Sequence, residues 1–444
     1  MRRCRTNGWR LALGAAVLGI ASPCAAREGE TIVYRIRAGD TLYSLGESLV
    51  AGRSGVHQIA RLNHIRDIAL IYAQAPLRIP RSALRDVETP AQVEAFSGQV
   101  TASGPGEARA LRRGDLLGEG TTIATGRNSF VTLRLSDRST VALPSQSSVR
   151  ILRLRRIVLT GTVEREFQIQ NGRAKARVTP MPDAGSTFRI NTPVSHAAVR
   201  GTVFRSAYDE ATGIALTEVD EGKVAVLALG DAPGAERLVM PRHGTAVGAA
   251  LGAAVTPLLE PPALTDAGRP QTGELLQFAL APVPGAQRYR IEIARDAGLL
   301  DAVAEDTSDR PAFALPSLPA GTYFARVAGI DARGLEGTSR IYAFERRRNS
   351  LTGALRQSGS GGRGRYQFKW DAQADGDPVF RFQLRQDGAA RPLVDEAGLK
   401  ETELVVTNLA PGHYSWRVQS LIPGDQQVIA TWMPEQAFEV ARRR

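Results

Sequence analysis

Cysteine is almost absent from this chain. The two cysteines among its 444 residues, Cys4 and Cys24, both lie near the N-terminus, in a segment that we expect to be removed. The remaining chain would then have no disulfide and no thiolate, which excludes cysteine nucleophiles and cysteine metal sites. Its stability must therefore come from packing alone.

Long hydrophobic runs are also missing. Beyond residue 26 no stretch offers the roughly 18 consecutive apolar residues that a transmembrane helix needs. Hydrophobic residues make up 43% of the chain and aromatic residues 6%, which excludes an integral membrane bundle and a fully disordered chain. The 44 glycines and 25 prolines favour many turns between short strands. The length predicts about three domains, so the expected fold class is mainly β and multidomain.

Acidic residues are fewer than basic residues in this chain. The 56 Lys and Arg residues outnumber the 45 Asp and Glu residues, which gives a formal net charge of +11. Almost all of the positive charge is arginine, because the lysines are only Lys175, Lys223, Lys369 and Lys400. This balance favours anionic surroundings without identifying them.

The first 26 residues have the pattern of a secretory signal peptide. Four arginines precede an apolar run from Leu11 to Ile20, and the small residues Ala25 and Ala26 follow. The apolar run is too short to cross about 30 Å of hydrocarbon, which disfavours a membrane anchor. Pro23 before Cys24 disfavours a lipoprotein signal. Removing four arginines and no acid takes the charge from +11 to +7.

Residues 31–80 predict a small module with the order β, α, α, β. A β-rich run leads to a turn at Gly39 and Asp40, after which apolar residues recur at helical spacing. The stretches YRIRAGDTLYSL, IARLN and IYAQAPLRIP resemble the LysM family in their residues and their order. The resemblance implies binding of glycans that contain N-acetylglucosamine, chiefly peptidoglycan. Residues 73–75 depart from the family's Pro-Gly-Gln, so the form of that turn stays open.

The resemblance also implies where the glycan would bind. The groove would lie between two loops of the module and would use Gly39, Asp40, Thr41, Leu42, Ala69, Leu70 and Ile71. Such a groove needs backbone N–H and C=O groups facing the acetamido group and apolar side chains beneath its methyl group. The alternative is a non-binding module in which Gly39 and Asp40 form only a turn and a helix cap.

Residues 95–230 predict a β-rich domain. Val131, Leu133 and Leu135 alternate with polar residues at the period of a half-buried strand. Asn171 and Gly172 have the signature of a two-residue hairpin. The stretches LRRGDLLGEGTTIATGRNSFVTLRLSD, FQIQNGRAKARV and FRINTPVSHAAVRGTVF resemble the FecR domain.

The FecR resemblance implies an extracytoplasmic interaction domain. The founding proteins of that family are membrane regulators that act through a cytoplasmic segment, and that part of the role is not carried over to this chain. One departure from the family is Arg138, which stands where a glycine is usual in a turn.

Two groups of residues in this domain could contact a partner. The first is Val199, Arg200, Gly201, Thr202 and Phe204, although Gly201 is expected to allow a close backbone approach and Phe204 to pack in the core. The second is a basic stripe on one strand face, formed by Arg173, Lys175 and Arg177. The stripe either binds phosphates or anionic glycans, or it is a solvated face that blocks edge aggregation.

The C-terminal part predicts two related β modules. Residues 241–262 are rich in Gly, Ala and Pro and predict a linker. LPAGTYFARV at 318–327 recurs as LAPGHYSWRV at 409–418, an offset of 409 minus 318, or 91 residues. This period suits a small β-sandwich, and residues 263–346 and 363–444 resemble fibronectin type III modules. Residues 358–364 predict a second linker, between the two modules.

No catalytic or metal-binding pattern is found. The five histidines are scattered and have no metal-ligand spacing. Ser195 and His196 are adjacent in a predicted strand, so they would face opposite sides and could not form a catalytic pair. The sequence has no GxSxG, HExxH or phosphate-loop motif. We therefore expect no enzyme, no cofactor and no nucleic-acid partner.

These features together predict a non-catalytic scaffold or adaptor of the periplasm or cell envelope. The LysM-like module would bind peptidoglycan, and the β domains would hold an unknown envelope protein or an anionic polymer. The alternative is a FecR-like sensor that relays an envelope signal through a membrane partner.

The signal-peptide pattern predicts a mature N-terminus at or near Arg27 in a Gram-negative-type bacterium. Fractionation followed by N-terminal sequencing measures this directly, and we expect the protein in the periplasmic or envelope fraction. A mature protein that retained a lipid-modified Cys24 would contradict the prediction.

Overall fold

The computed structural model describes residues 31–441, except for 105–107, 182, 184, 233, 250, 252, 359–363 and 425–427. The predicted signal peptide lies outside the described residues. In the described part, regular structure is almost entirely β-strand, and the helices are short. The predicted class, mainly β with several domains, is confirmed. The described residues fall into two compact units, the first being 31–87 with 157–162 and the second the remainder.

The first unit has the predicted order of elements. Strand β1 (Thr31–Arg35) is followed by helix α1 (Leu42–Gly46), helix α2 (Val56–Leu62) and strand β2 (Pro76–Pro80). The two strands pair antiparallel, with Tyr34 opposite Leu77. The Thr41 side chain caps α1 by accepting from the backbone N–H of Ser44 at 3.0 Å, and the Ser44 hydroxyl accepts from the Thr41 N–H.

A distant segment completes the core of the first unit. Residues 157–162 belong to this unit although they lie far along the chain. Ile157 is 1% exposed and packs in the same cluster as Leu84, and the Val158 N–H donates to the Arg85 carbonyl at 3.0 Å. The small module therefore buries apolar surface that residues 31–87 do not themselves supply.

The second unit begins with a closed β-barrel around one hydrophobic core. The chain enters it through β3 (Asp86–Glu88). The barrel strands that follow are β4 (Ala91–Ser97), β5 (Val100–Ser103), β6 (Arg109–Ala110), β7 (Leu116–Leu117), β8 (Thr122–Thr125), β9 (Phe130–Arg134), β10 (Thr140–Leu143), β11 (Ser148–Ile157), β12 (Val163–Arg177), β13 (Thr187–Asn191), β14 (Ser195–Val199), β15 (Val203–Asp209), β16 (Ile214–Glu221), β17 (Val224–Ala228), β18 (Arg237–Val239), β19 (His243–Val247) and β20 (Val255–Pro257).

The hairpin predicted at Asn171 and Gly172 is wrong. Both residues lie inside β12, which pairs with β11 and β13 in its first part and with β10 and β15 in its second. Gly172 has φ +83°, and a Cβ there would lie 2.6 Å from the Ser147 Cα. The glycine thus permits a bend where one strand passes between two sheets. This bend uses the positive φ that glycine allows, as the predicted turn would also have done.

The predicted linker at 241–262 contains two strands of the barrel, β19 and β20. Strand β19 pairs with β16, and Thr245, Ala246 and Val247 are all buried. A Cβ on Gly244 would lie 2.9 Å from the Leu258 side chain, so the small residue reflects close packing. The Gly and Ala content that indicated flexibility is instead a requirement of the barrel wall.

The first C-terminal module is a β-sandwich. Its strands are β21 (Leu275–Ala279), β22 (Arg288–Ala294), β23 (Ala302–Ser308), β24 (Ala312–Pro316), β25 (Gly321–Ile330) and β26 (Glu336–Arg346). Strands β21 and β24 form one sheet, and the other has the order β23-β22-β25-β26.

The second module repeats this plan. Its strands are β27 (Asn349–Ser358), β28 (Arg365–Ala374), β29 (Val379–Gln386), β30 (Val394–Leu399), β31 (Glu403–Thr407), β32 (Gly412–Pro423), β33 (Val428–Trp432) and β34 (Gln436–Val440). One sheet has the order β27-β28-β31. The other runs β30-β29-β32, with β33 and β34 both pairing with β32.

The sequence repeat corresponds to the same structural device in both sandwiches. The Tyr323 hydroxyl donates to the Pro319 carbonyl at 3.1 Å, and the Tyr414 hydroxyl donates to the Ala410 carbonyl at 2.8 Å. Each tyrosine therefore bonds to backbone four residues upstream, as in the tyrosine corner of immunoglobulin-like sandwiches. The predicted pair of β-sandwich modules is confirmed.

The boundary between the sandwiches differs from the prediction. Strands β27 and β28 pair with each other from Asn349 opposite Ala374 to Ser358 opposite Arg365, so the predicted boundary between the modules falls inside the second module. The module begins at Asn349, and only Arg347 and Arg348 separate it from β26. The buried Asn349 amide donates to the carbonyls of Ser420 and Ile429 at 3.2 and 3.1 Å, which anchors the junction.

The packing of Ile157 leads to a test in the full chain. Ile157→Ala removes buried methyl groups from the first unit and should destabilise it by about 2 to 5 kcal/mol. Hydrogen exchange at the amides of β1 and β2 measures the effect. Leu152→Ala, at a 37% exposed position on β11, is the matched control and should change little. Unchanged exchange in the Ile157 variant would show that residues 157–162 do not support this core.

Candidate functional sites

The first candidate site is built on the turn after β1. The Asp40 carboxylate accepts from the Tyr34 hydroxyl and from the Arg37 N–H, each at 2.7 Å. Burial raises the pKa of Tyr34, and its hydrogen bond to Asp40 raises it further. The turn is thereby held in one conformation, with Gly39 at φ +91° and its space open.

A cavity lies between the end of α2 and β2. Leu70 and Ile71 line it together with Ile36, Ile65 and Tyr72. Leu70 is 54% exposed and Tyr72 67% exposed, so both offer apolar surface to a ligand. Because such surface is unusual on a small module unless it is used, the cavity is the candidate ligand site here.

The structure divides the predicted glycan-binding residues into two groups. Leu70 and Ile71 line the cavity, whereas Gly39, Asp40, Thr41 and Leu42 do not. Leu42 is 2% exposed and packs in the core. Ala69 is exposed, and its N–H donates to Asp67 at 2.9 Å.

The sequence prediction omitted most of the cavity lining, including Ile36, Ile65 and Tyr72. Tyr72 lies inside the IYAQAPLRIP stretch, so the motif that indicated Leu70 and Ile71 also contained it.

The turn at residues 73–75 forms without the family's usual residues. The Gln74 N–H donates to the Ile36 carbonyl at 2.7 Å, and the Ile36 N–H donates to the Ala75 carbonyl at 3.1 Å. Gln74 adopts φ +68°, a conformation that costs a non-glycine residue on the order of 1 kcal/mol or more. Asn63 braces the same region by exchanging two hydrogen bonds of 2.7 Å with the backbone of Arg78.

The predicted partner residues of the barrel are mostly internal. Phe204 is fully buried and meets Phe188 edge-on at 6.3 Å between ring centroids. Val199 and Thr202 are also buried, so of this group only Arg200 presents an exposed side chain. A Cβ on Gly201 would lie 2.7 Å from the Pro180 Cα, as a close backbone approach requires.

The basic stripe is not a uniformly solvated face. Arg173 is only 26% exposed and pairs with two glutamates of the first sandwich, Glu305 at 3.1 Å and Glu336 at 3.3 Å. Burial lowers the pKa of Lys175 to about 8. Only Arg177 of the three is exposed. The stripe therefore contributes to an internal contact between the barrel and the first sandwich.

Glu336 is the centre of that contact. Its carboxylate lies 2.6 Å from Arg326 and 3.3 Å from Arg290, both on the sandwich. From the barrel, Arg205 donates to the backbone carbonyls of Glu336 and Gly337 at 3.0 and 3.1 Å. We call this group, Arg173, Arg205, Glu218, Arg290, Glu305, Arg326 and Glu336, the interface charge cluster.

The carboxyl groups of the interface charge cluster titrate differently. Burial alone raises the pKa of Glu336, but Arg326, Arg205 and Arg173 outweigh it and hold the pKa at about 2. Burial raises the pKa of Glu218 to about 7 against the opposing effect of Arg205. Burial likewise raises the pKa of Glu305 to about 7 against Arg173. The contribution of Glu336 to the free energy of unfolding is therefore lost as pH falls from about 4.5 to 2. The contributions of Glu218 and Glu305 are lost as pH rises from about 4.5 to about 7.

The described residues offer neither a metal-binding cluster nor a membrane-spanning helix. In the described ranges, no group of three or more His, Cys, Asp and Glu side chains could hold a metal ion. No helix among the described residues is long and apolar enough to cross a bilayer.

Comparison with known families identifies two domains. Residues 34–80 match the LysM domain family, and residues 121–225 match the family described as FecR protein. The chain thus contains a LysM domain and a FecR domain, which are binding or regulatory modules and not enzyme families. No curated protein matches the chain.

Several solved structures are similar to parts of the chain. A "putative anti-sigma factor" from Parabacteroides distasonis is 20% identical with a TM-score of 0.24; the match covers 30% of this chain and 57% of that one. A two-domain fibronectin type III segment of chicken tenascin is 16% identical, with a TM-score of 0.21 and coverage of 40% and 98%. The FN1–FN3 domains of chicken CNTN1 are 9% identical, with a TM-score of 0.24 and coverage of 67% and 97%.

The interface charge cluster leads to a stability test. Glu336→Gln leaves several buried arginines without their shared anion and should lower the free energy of unfolding by about 3 to 5 kcal/mol at neutral pH. Urea unfolding of the full chain measures it. Glu260→Gln breaks an exposed ion pair with Arg242 and, as the control, should cost less than about 1 kcal/mol. Equal effects of the two substitutions would contradict a central role for Glu336.

Proposed function

We propose that this chain is a non-catalytic adaptor of the bacterial cell envelope. Its LysM domain would bind peptidoglycan, and its barrel and sandwiches would present surfaces to a protein or polymer partner. The observation that carries the proposal is the cavity of the LysM domain, where Leu70 and Tyr72 keep apolar surface exposed beside the polar lining residues Asn63, His64 and Asp67. This combination suits an N-acetylated sugar, whose methyl group needs apolar contact and whose amide needs hydrogen bonds.

The non-catalytic assignment is supported by the placement of the reactive residue types. The Ser195 side chain is buried, and its hydroxyl contacts the Thr192 hydroxyl at 2.9 Å. His196 is exposed, and its Nδ1 contacts the Asn191 side-chain oxygen at 2.8 Å. The serine and the histidine therefore belong to separate polar contacts, as expected for neighbours on a strand.

The expected location supports the same proposal. The signal-peptide pattern would export the chain to the compartment that contains peptidoglycan. The mature charge of +7 would favour association with anionic envelope polymers, an attraction that salt weakens.

A regulatory role is the second candidate, and the FecR match favours it. In that case the chain would relay an envelope signal through a membrane partner. A transcript change on deletion, rescued by a chain without its LysM domain, would support regulation over wall tethering.

The glycan-binding proposal predicts a loss of sacculus binding when the cavity is altered. Leu70→Asp replaces exposed apolar surface of the cavity with a charge and should weaken pelleting with purified sacculi at least tenfold. Val50→Asp adds the same charge at a 69% exposed position of the same unit outside the cavity lining, and it should pellet like the unaltered protein.

The pull-down needs a control for general electrostatic attraction. It is therefore run in high salt, where binding through net charge is screened, and with a chain that lacks residues 27–80. Equal pelleting of the full-length and shortened proteins in high salt would rule out the LysM domain as the tether.

A further inference from the structure

A cavity lies between the barrel and the first sandwich. The barrel strands β9, β10, β12, β15 and β16 line it on one side, and the sandwich strands β22, β25 and β26 line it on the other. The space inside it is about 70 Å³, which at roughly 10–15 Å³ for one water is room for about five waters or one small organic molecule. Lys175 and Leu216 are half-buried lining residues, so the cavity is reached beside them.

The charged side chains of this cavity do not balance. All members of the interface charge cluster line it, together with Lys175 and Glu292. The lining therefore has four arginines and one lysine against four glutamates. Burial holds the pKa of two of these glutamates at about 7, so they are ionised only in part at neutral pH. Even with Asp220, which lies outside the lining and 2.8 Å from Arg205, positive charge is in excess.

Lys175 is the lining cation that lacks a close anion. Each lining arginine has a glutamate of the lining as a partner, and the longest of these contacts is the 3.8 Å between Arg205 and Glu218. The residues that the structure describes give Lys175 neither a hydrogen bond nor an ion pair. Glu292 and Asp220 attract its ammonium only from a longer distance, whereas neighbouring arginines repel it. An anion in the cavity would give this ammonium the kind of partner that each arginine already has.

The Lys175 ammonium keeps its charge at neutral pH. Burial lowers its pKa to about 8, and Arg326 and Arg205 contribute to the same shift. The ammonium is therefore mostly protonated at pH 7 although it is poorly hydrated. A charged group in that state gains most from a hydrogen-bonded counter-ion.

The rest of the lining decides which kind of anion fits. It is mostly apolar and includes Leu143, Leu216, Leu299 and Ile330. Phosphate has no apolar surface to place against such walls, and burying its second charge would be costly. A short alkyl chain that ends in one carboxylate matches the walls, the single unpaired ammonium and the volume.

We propose that the cavity between the barrel and the first sandwich binds a small monocarboxylate, whose carboxylate pairs with Lys175 and whose alkyl chain contacts the apolar walls. This ligand site goes beyond the proposed adaptor role and does not involve the LysM domain, so the two proposals can fail separately. Because the ligand contacts both domains, its binding stabilises their association.

The test uses the mature full-length chain with butyrate as the probe, and saturation-transfer NMR at neutral pH gives the dissociation constants. Butyrate should bind in the millimolar range or more tightly. Lys175→Met keeps the aliphatic stem and removes the charge, and it should raise the dissociation constant at least tenfold. Lys223→Met removes the same charge at an exposed position of the same barrel, and it should change the constant less than twofold.

A neutral substitution separates shape from charge. Ala207 lines the cavity, and Ala207→Leu fills part of the space while leaving Lys175 in place. It should also weaken butyrate binding at least tenfold, while circular dichroism confirms that each variant is folded.

Three results would overturn the proposal. The first is no binding of butyrate. The second is an equal loss in the Lys175 and Lys223 variants, which would mean attraction by net charge alone. The third is binding of butylamine or of inorganic phosphate as tightly as butyrate, which would mean that the apolar walls alone or the charge alone determines what binds.

Discussion

The contact between the barrel and the first sandwich is centred on the carboxylate of Glu336. It belongs to the first sandwich, yet arginines of both the sandwich and the barrel converge on it. Burying so many charges is costly, and the cost is offset only if the geometry keeps every partner in place. The interface charge cluster therefore selects one relative placement of barrel and sandwich, because any sliding of one against the other would leave charges buried without partners.

The same interface explains why the chain between these two domains is ordered. Gly244 packs against Leu258 and Leu335, the second of which precedes Glu336 at the start of β26. Thr132 of the barrel donates to the Leu300 carbonyl of the sandwich at 2.7 Å. Gly244 and Leu258 therefore lie in this contact, with the barrel on one side and the first sandwich on the other. Barrel and first sandwich are better described as one body than as two domains on a linker.

Local patterns were sufficient for part of this structure. The order of the LysM elements and the repeated tyrosine motif depend on contacts within a few residues, which a sequence shows directly. The interface charge cluster could not be found in this way, because Arg173 and Glu336 are 163 residues apart and each looks like an ordinary surface charge. Two glycines led to wrong predictions. The sequence pattern indicated a turn at Gly172 and a linker at Gly244, whereas each marks a close approach of two chain segments. For the cavity beside α2, the family motif indicated Leu70 and Ile71, but the other loop that it indicated does not line the cavity.

The connection between the two sandwiches is very short. Strand β26 ends at Arg346 and β27 begins at Asn349, and both residues are fully buried. A long flexible tether would let the second sandwich explore a large volume and dilute whatever it holds. Here only two residues separate the strands, so any molecule bound to the second sandwich would have its effective concentration near the barrel set by the geometry of the junction. Lengthening this junction by a few glycines would change the distance between the two sandwiches while leaving the surface of each unchanged.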